Sequence, residues 1–288
     1  MSRPPFLTLP AGARAYRLGT ARGEFAVHDA RPGAAARGTV LLVPGFTGSK
    51  EDFIALLEPL AAAGFRAVAV DGRGQYETPG PRDQTAYAQD ELVLDVLAQA
   101  TAVSAATEDP VHLLGHSLGG LIARAAVLRD PGAFTSLTIM SSGPAAISAA
   151  QQARTKLLID ALTVMDMEAV WQAMRELDPP EAADAATPPG VREFLHRRWL
   201  ETVPEQLIAT GRQLNAEPDR VGELAASGVP THVLSGEVDY AWPVPLMDEM
   251  AERLSARRTV IEGAEHSPNV ERPRATADAL IAFWRGAV

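Results

Sequence analysis

Val111-His112-Leu113-Leu114-Gly115-His116-Ser117-Leu118-Gly119 decides how this chain folds. Residues 111–114 form a short, largely apolar run. A glycine ends it, a serine follows two positions later with a second glycine two beyond, and 118–128 then take up helical spacing. A continuous run of this length suits a parallel strand covered on both faces. The G-x-S-x-G pattern is common by itself, but here it sits between a buried strand and a helix, where a sharp turn would thrust the serine hydroxyl outward. Glycines two residues to either side relieve crowding at such a turn. The helix that follows aims unpaired backbone N–H groups at any negative charge developing near the serine.

The rhythm continues in both directions. Similar apolar runs recur at 39–43, 67–70, 137–140 and 231–234, and stretches of helical spacing lie between them, including 52–63, 87–102 and 245–254. Two alternating segments, 13–18 and 24–28, flanked by Gly19 and Gly23, read as an opening antiparallel hairpin. The expected fold is α/β, a mostly parallel doubly wound sheet whose ligands sit beyond the carboxyl ends of the strands. From about residue 143 to 219 no strand-like run occurs, whereas 150–162, 168–177 and 191–200 carry helical spacing. The expected organisation is a core of 1–143 and 220–288 with a helical cap inserted at 144–219. Within the cap, 178–190 is rich in Pro, Ala and acids and reads as a solvated connection.

Loops following other runs carry further chemistry: Pro44-Gly45-Phe46-Thr47-Gly48-Ser49, Asp71-Gly72-Arg73-Gly74-Gln75-Tyr76-Glu77-Thr78, Gly236-Glu237-Val238-Asp239-Tyr240-Ala241-Trp242-Pro243 and Gly263-Ala264-Glu265-His266-Ser267-Pro268. Together with the Ser117 turn these resemble the α/β-hydrolase family over most of the chain outside the cap. That resemblance implies a nucleophile, acid, histidine order along the chain. Ser117 would be the nucleophile, Asp239 the acid and His266 the general base; the other five histidines precede Asp239. Glu237 competes for the acid position. The backbone N–H groups of Phe46 and Leu118 would form the oxyanion hole, although Pro44 stands where the family usually has histidine. Asp71 and Arg73 would fix their loop through a charge-assisted bond, and His116 would pack beneath the turn.

Composition narrows the partners. A net charge of -10, with the cations scattered, argues against a nucleic-acid binder, and we read the basic residues, including the only two lysines, Lys50 and Lys156, as solvated surface. There is no cysteine. The first 18 residues lack the apolar core of a secretory signal and no run is long enough to span a membrane, so a cytoplasmic protein is the simplest reading.

The chemistry implied is acyl transfer to water through an acyl-enzyme, with no metal or organic cofactor. A small apolar ester is the expected substrate, with Tyr76, Trp171, Trp199 and Trp242 as its expected contacts. Carbon-carbon bond hydrolysis, cofactor-free haloperoxidase chemistry and a receptor role without turnover are the alternatives, because fold and chemical group sets are shared among them. Oligomeric state is not legible in the sequence.

Overall fold

The computed structural model describes residues 1–105, 111–177 and 187–287. Its centre is one eight-stranded sheet. In chain order the strands are β1 Ala13–Thr20, β2 Gly23–Ala30, β3 Gly38–Val43, β4 Phe65–Val70, β5 Val111–His116, β6 Ser136–Met140, β7 Thr231–Gly236 and β8 Arg257–Ile261. In space they run β1-β2-β4-β3-β5-β6-β7-β8. β1 and β2 form an antiparallel hairpin and β2 lies antiparallel to β4, while all other neighbours are parallel.

Side-chain alternation explains why the strand runs are apolar throughout. Leu41 and Val43 of β3 face one core, with Leu113 of β5 and Val68 and Val70 of β4. Val40 and Leu42 face the other, with Leu114, Ala67 and Ala69. Because successive residues point to opposite faces, a strand covered on both sides must be apolar at every position. The helices that cover it are α1 Ile54–Ala62, α2 Gln89–Ser104 and α3 Leu118–Arg129, with later helices behind β7 and β8. A one-turn 3-10 helix, Lys50–Phe53, precedes α1.

The chain leaves the sheet at Met140 and re-enters at Thr231. Between these points lie α4 Ala149–Val164, α5 Met167–Leu177, α6 Pro189–Glu201, α7 Pro204–Ala216 and α8 Val221–Ala226. Both α6 and α7 begin at a proline, whose missing N–H costs nothing in a first turn. This insert has its own small core of Ile159, Leu162, Val170, Trp199, Leu207 and Ile208. Phe46 of the sheet's loop packs against both this cluster and the main core, joining roof to floor. The greater part of the connection expected at 178–190, residues 178–186, lies outside the described residues. After β7 come α9 Val244–Leu254, α10 Pro268–Glu271 and α11 Pro273–Trp284.

Two expectations need correction. β8 was not among the sequence's strand-like runs: as an outer strand bearing Arg257 and Arg258 it is largely open to solvent, and charge is what a sheet edge favours. The cations are not all solvated either. Lys50, Arg124 and Arg198 are among the most buried side chains, each against a carboxylate, because a buried cation needs a partner to offset lost hydration.

Candidate active site

Ser117 follows β5 and immediately precedes α3, with φ 55° and ψ -120°. A non-glycine residue in this region is strained, at about 1–3 kcal/mol. The turn is held by Ser117 N–H donating to the Met140 carbonyl at 2.9 Å and Gly120 N–H donating to the Ser117 carbonyl at 2.8 Å. The flanking glycines are steric requirements. A Cβ on Gly115 would run into the Gly119 carbonyl, and one on Gly119 would meet the carbonyl oxygens of Val43 and Pro44.

His266 arrives on the loop after β8. Its Nε2 lies 3.1 Å from Ser117 Oγ and its Nδ1 lies 2.8 Å from Asp239 Oδ2. Asp239 is fixed through its other oxygen, which accepts the backbone N–H groups of Ala241 at 2.8 Å and Trp242 at 3.1 Å. Glu237 is occupied elsewhere: its carboxylate accepts the Gly263 N–H at 2.7 Å and so braces the histidine loop from behind. His116 completes the bracing. Burial pushes its imidazole down to about 3, so the ring is neutral, and Nε2 lies 2.8 Å from the His266 carbonyl, where it donates as the N–H tautomer. Tyr240 lays its ring 4.8 Å from that of His266.

The loop 44–49 faces the serine from the end of β3. Phe46 lines the cavity above Ser117, and Leu118, as the first residue of α3, has an N–H without an intrahelical acceptor. Gln75 controls this loop. Its Nε2 donates to the Gly45 carbonyl at 2.8 Å and to that of Phe46 at 3.4 Å, while Oε1 accepts the Gly72 N–H at 3.0 Å. Gln75 lay inside a quoted motif, yet only tertiary structure reveals its reach to Gly45.

Asp71 and Arg73 do not bond one another as expected. Arg73 pairs with Asp95 on α2, with Nε 2.7 Å from its carboxylate. Asp71 instead meets Lys50, whose ammonium lies 2.9 Å from Asp71, 2.8 Å from Glu51 and 2.7 Å from Glu77. Three carboxylates around one buried cation cannot all ionise cheaply; burial pushes Asp71 up to about 7. Next to it, Arg198 of α6 reaches down from the insert. It lies 2.7 Å from Asp52 and 3.3 Å from Ser49 Oγ, and also donates to the Ser2 carbonyl at 2.9 Å.

A cavity of about 170 Å³ opens at Ser117, lined by Gly45, Phe46, Thr47, Ile147, Gln151, Thr155, Leu214 and Tyr240 together with residues 1 and 2 and the serine and histidine themselves. None of the four aromatic contacts expected from the sequence lines it. Trp199 is buried in the insert's core with its indole N–H on the Met167 carbonyl at 2.6 Å. Trp242 is buried below Asp239 with its N–H on the Ala145 carbonyl at 2.8 Å. An indole that has found a backbone acceptor inside the protein is packing, not facing a ligand. Trp171 borders a separate cavity in the insert, and Tyr76 covers Lys50 with its ring centroid 4.7 Å from the ammonium. The aromatic side chains that do line the site are Phe46 and Tyr240. No group of His, Asp or Glu able to hold a metal ion occurs among the described residues, and no helix among them is long and apolar enough to cross a membrane.

A family model described as the alpha/beta hydrolase family matches residues 40–279. A 2-hydroxy-6-oxononadienedioate/2-hydroxy-6-oxononatrienedioate hydrolase of Cupriavidus pinatubonensis is 29% identical over 230 residues, 77% of each chain. A pimeloyl-(acyl-carrier protein) methyl ester esterase of Aeromonas hydrophila is 28% identical over 233 residues, covering 78% of this chain and 87% of its own. Among solved structures, an enol-lactonase from Burkholderia xenovorans superposes with a TM-score of 0.77 at 19% identity, covering 94% of this chain and all of its own.

Proposed function

This chain belongs to the alpha/beta hydrolase family, and from that premise we propose that it is a serine hydrolase cleaving a carboxylic ester through an acyl-enzyme on Ser117. The observation carrying this reading is the unbroken hydrogen-bonded line from Asp239 through His266 to the Ser117 hydroxyl. Nε2 of His266 accepts the Ser117 proton as Oγ attacks the carbonyl, and returns it to the leaving alcohol. The N–H groups of Phe46 and Leu118 hold the oxyanion, and Asp239 keeps the imidazole in the productive tautomer and stabilises the imidazolium. Water then releases the acyl group by the same route. Gln75 supports the oxyanion donors by turning the Gly45 and Phe46 carbonyls away from the reacting carbonyl.

The competing reading is carbon-carbon bond hydrolysis, since one relative acts on a dienedioate. The cavity favours the ester. No Lys or Arg side chain is among its described lining residues, and a dienedioate brings two carboxylates, which are costly to bury without side-chain cations. Labelling by a fluorophosphonate, located by mass spectrometry, should fall on Ser117, and nitrophenyl esters should be turned over with a burst. A protein that labels at Ser117 but turns over no ester would remove the ester reading.

A further inference from the structure

The roof of the cavity carries two side chains whose polar ends the packing of the fold does not use. Gln151 and Thr155 lie one turn apart on the same face of α4, and both line the cavity at Ser117. Thr155 is only 9% exposed. Its methyl group lies with Ile159 and Phe46 against Gly211 of α7, since a Cβ on that glycine would come within 3.2 Å of it. Neither the Thr155 hydroxyl nor the Gln151 amide has a side-chain hydrogen bond to any other described residue, although neighbouring Gln152 bonds the Ile147 carbonyl at 2.8 Å. Further along α4, Ile159 and Leu162 turn into the insert's apolar core. The helix therefore changes character along its length, apolar where it packs and polar where it overlooks the nucleophile. Neither polar end is enclosed by protein: both open onto the cavity beside the nucleophile, where a ligand rather than the fold can complete the bonding.

We propose that Gln151 and Thr155 form a specificity subsite for a neutral oxygen substituent, an ether, hydroxyl or keto group, on the acyl part of the substrate. The subsite deepens the ester reading above and rests on Ser117 being the nucleophile. The amide and hydroxyl can each donate and accept, which suits neutral oxygen. A plain alkyl chain would cover both groups and leave them unpaired, the circumstance in which a hydrogen-bonding site discriminates most strongly. A carboxylate would meet no Lys or Arg side chain on the described cavity wall.

The test uses two nitrophenyl phosphonates that react once with an active serine, one bearing a pentyl group on phosphorus and the other the 2-ethoxyethyl group of equal length. Rate constants for nitrophenolate release at Ser117 are each normalised to reaction with hydroxide. The native protein should favour the ethoxyethyl probe by about tenfold, the size of one or two hydrogen bonds. Thr155→Val and Gln151→Leu should each cut that preference about threefold or more, slowing the ethoxyethyl probe and speeding the pentyl one. Thr155→Ser, which keeps the hydroxyl, should restore it and separates loss of the hydroxyl from loss of fold. A preference that is the same in all these proteins would overturn the subsite, whatever the ester activity. Labelling with the expected preference but no turnover of any carboxylic ester would remove the ester reading and leave the subsite standing. A folded protein that neither probe labels would overturn both.

Discussion

The floor of the cavity, built from loops of the sheet, and its roof, built from the insert, are held by different physics. On the floor each working side chain has a second attachment: Asp239 to two backbone N–H groups, the His266 loop to His116 and Glu271, and the Phe46 loop to Gln75. On the roof, packing is apolar, and the polar groups above the serine have no side-chain bond. The floor is organised before a ligand arrives, as electrostatic stabilisation of a developing charge requires. The roof leaves its bonding capacity to the ligand, as a selectivity filter does.

If this division is right, the floor should fail by rate and the roof by preference. Ser117→Ala should lower ester turnover on the order of 10⁵-fold while the melting temperature hardly moves; near-normal turnover in a folded variant would end the argument. Asp239→Asn should cost on the order of 10⁴-fold through the wrong histidine tautomer. Glu237→Gln, losing only the brace on Gly263, should stay within a few-fold of normal. A reversal of these two would move the acid two residues upstream.

The same contrast governs what the sequence reveals. The floor is legible because the Ser117 turn directly follows an apolar strand run, where topology leaves a side chain few directions, and because the loops carrying Asp239 and His266 resemble those of a known family. The roof is not. Helical periodicity marks Trp171 and Trp199 as apolar-face residues, but which face meets the cavity depends on how α4, α6 and α7 pack, and packing assigned the indoles to the insert's interior. The reach of Arg198 to Asp52, across 146 positions of sequence, is invisible to any local pattern. β8 escaped notice because an exposed edge strand lacks the continuous apolar signature of its buried neighbours.

Arg198 is where roof and floor meet through a buried ion pair, and breaking it should blur the comparison. Arg198→Met would strand a fully buried Asp52 beneath the Phe46 loop and should cost about 3–5 kcal/mol of stability, read by urea unfolding. Adding Asp52→Asn, which removes the orphaned charge, should recover a substantial part. No recovery would mean that the guanidinium matters for its packing rather than its charge.

Acidity should loosen the floor's foundations. His28 and His112 are held down to about 4, and His116 and His232 to about 3, all by burial. Each folded value lies below the unfolded one, so the stability these neutral rings contribute is present above pH 6.5 and is lost as pH falls toward 4. Asp71, raised to about 7, works in the opposite sense: its contribution is fully present below the ordinary carboxylate range and is lost as pH rises through 7. With four histidines against two raised carboxylates, Asp71 and Asp52, stability should fall on acidification from pH 6.5, at up to about 1.4 kcal/mol per pH unit for each uncompensated group. Asp71→Asn should steepen that fall. Melting temperatures that rise between pH 6.5 and 5 would refute the balance. A modest effect is expected for Gln75→Leu, which should reduce kcat about tenfold with little change in KM, because its role is to orient an oxyanion donor rather than to bind substrate. A loss confined to KM would place Gln75 in binding instead.

The Arg198–Asp52 pair also bears on how such a molecule could be rebuilt. The insert enters the chain between β6 and β7, after the serine and before both the acid and the histidine, so in principle a designer could exchange it without cutting any loop that performs chemistry. Asp52 makes that graft conditional. A replacement roof must either bring a cation to the same spot or be accompanied by neutralisation of the carboxylate beneath it. A chimera library built on two backgrounds, one keeping Asp52 and the other carrying Asp52→Asn, would sort the two cases by yield of folded protein alone.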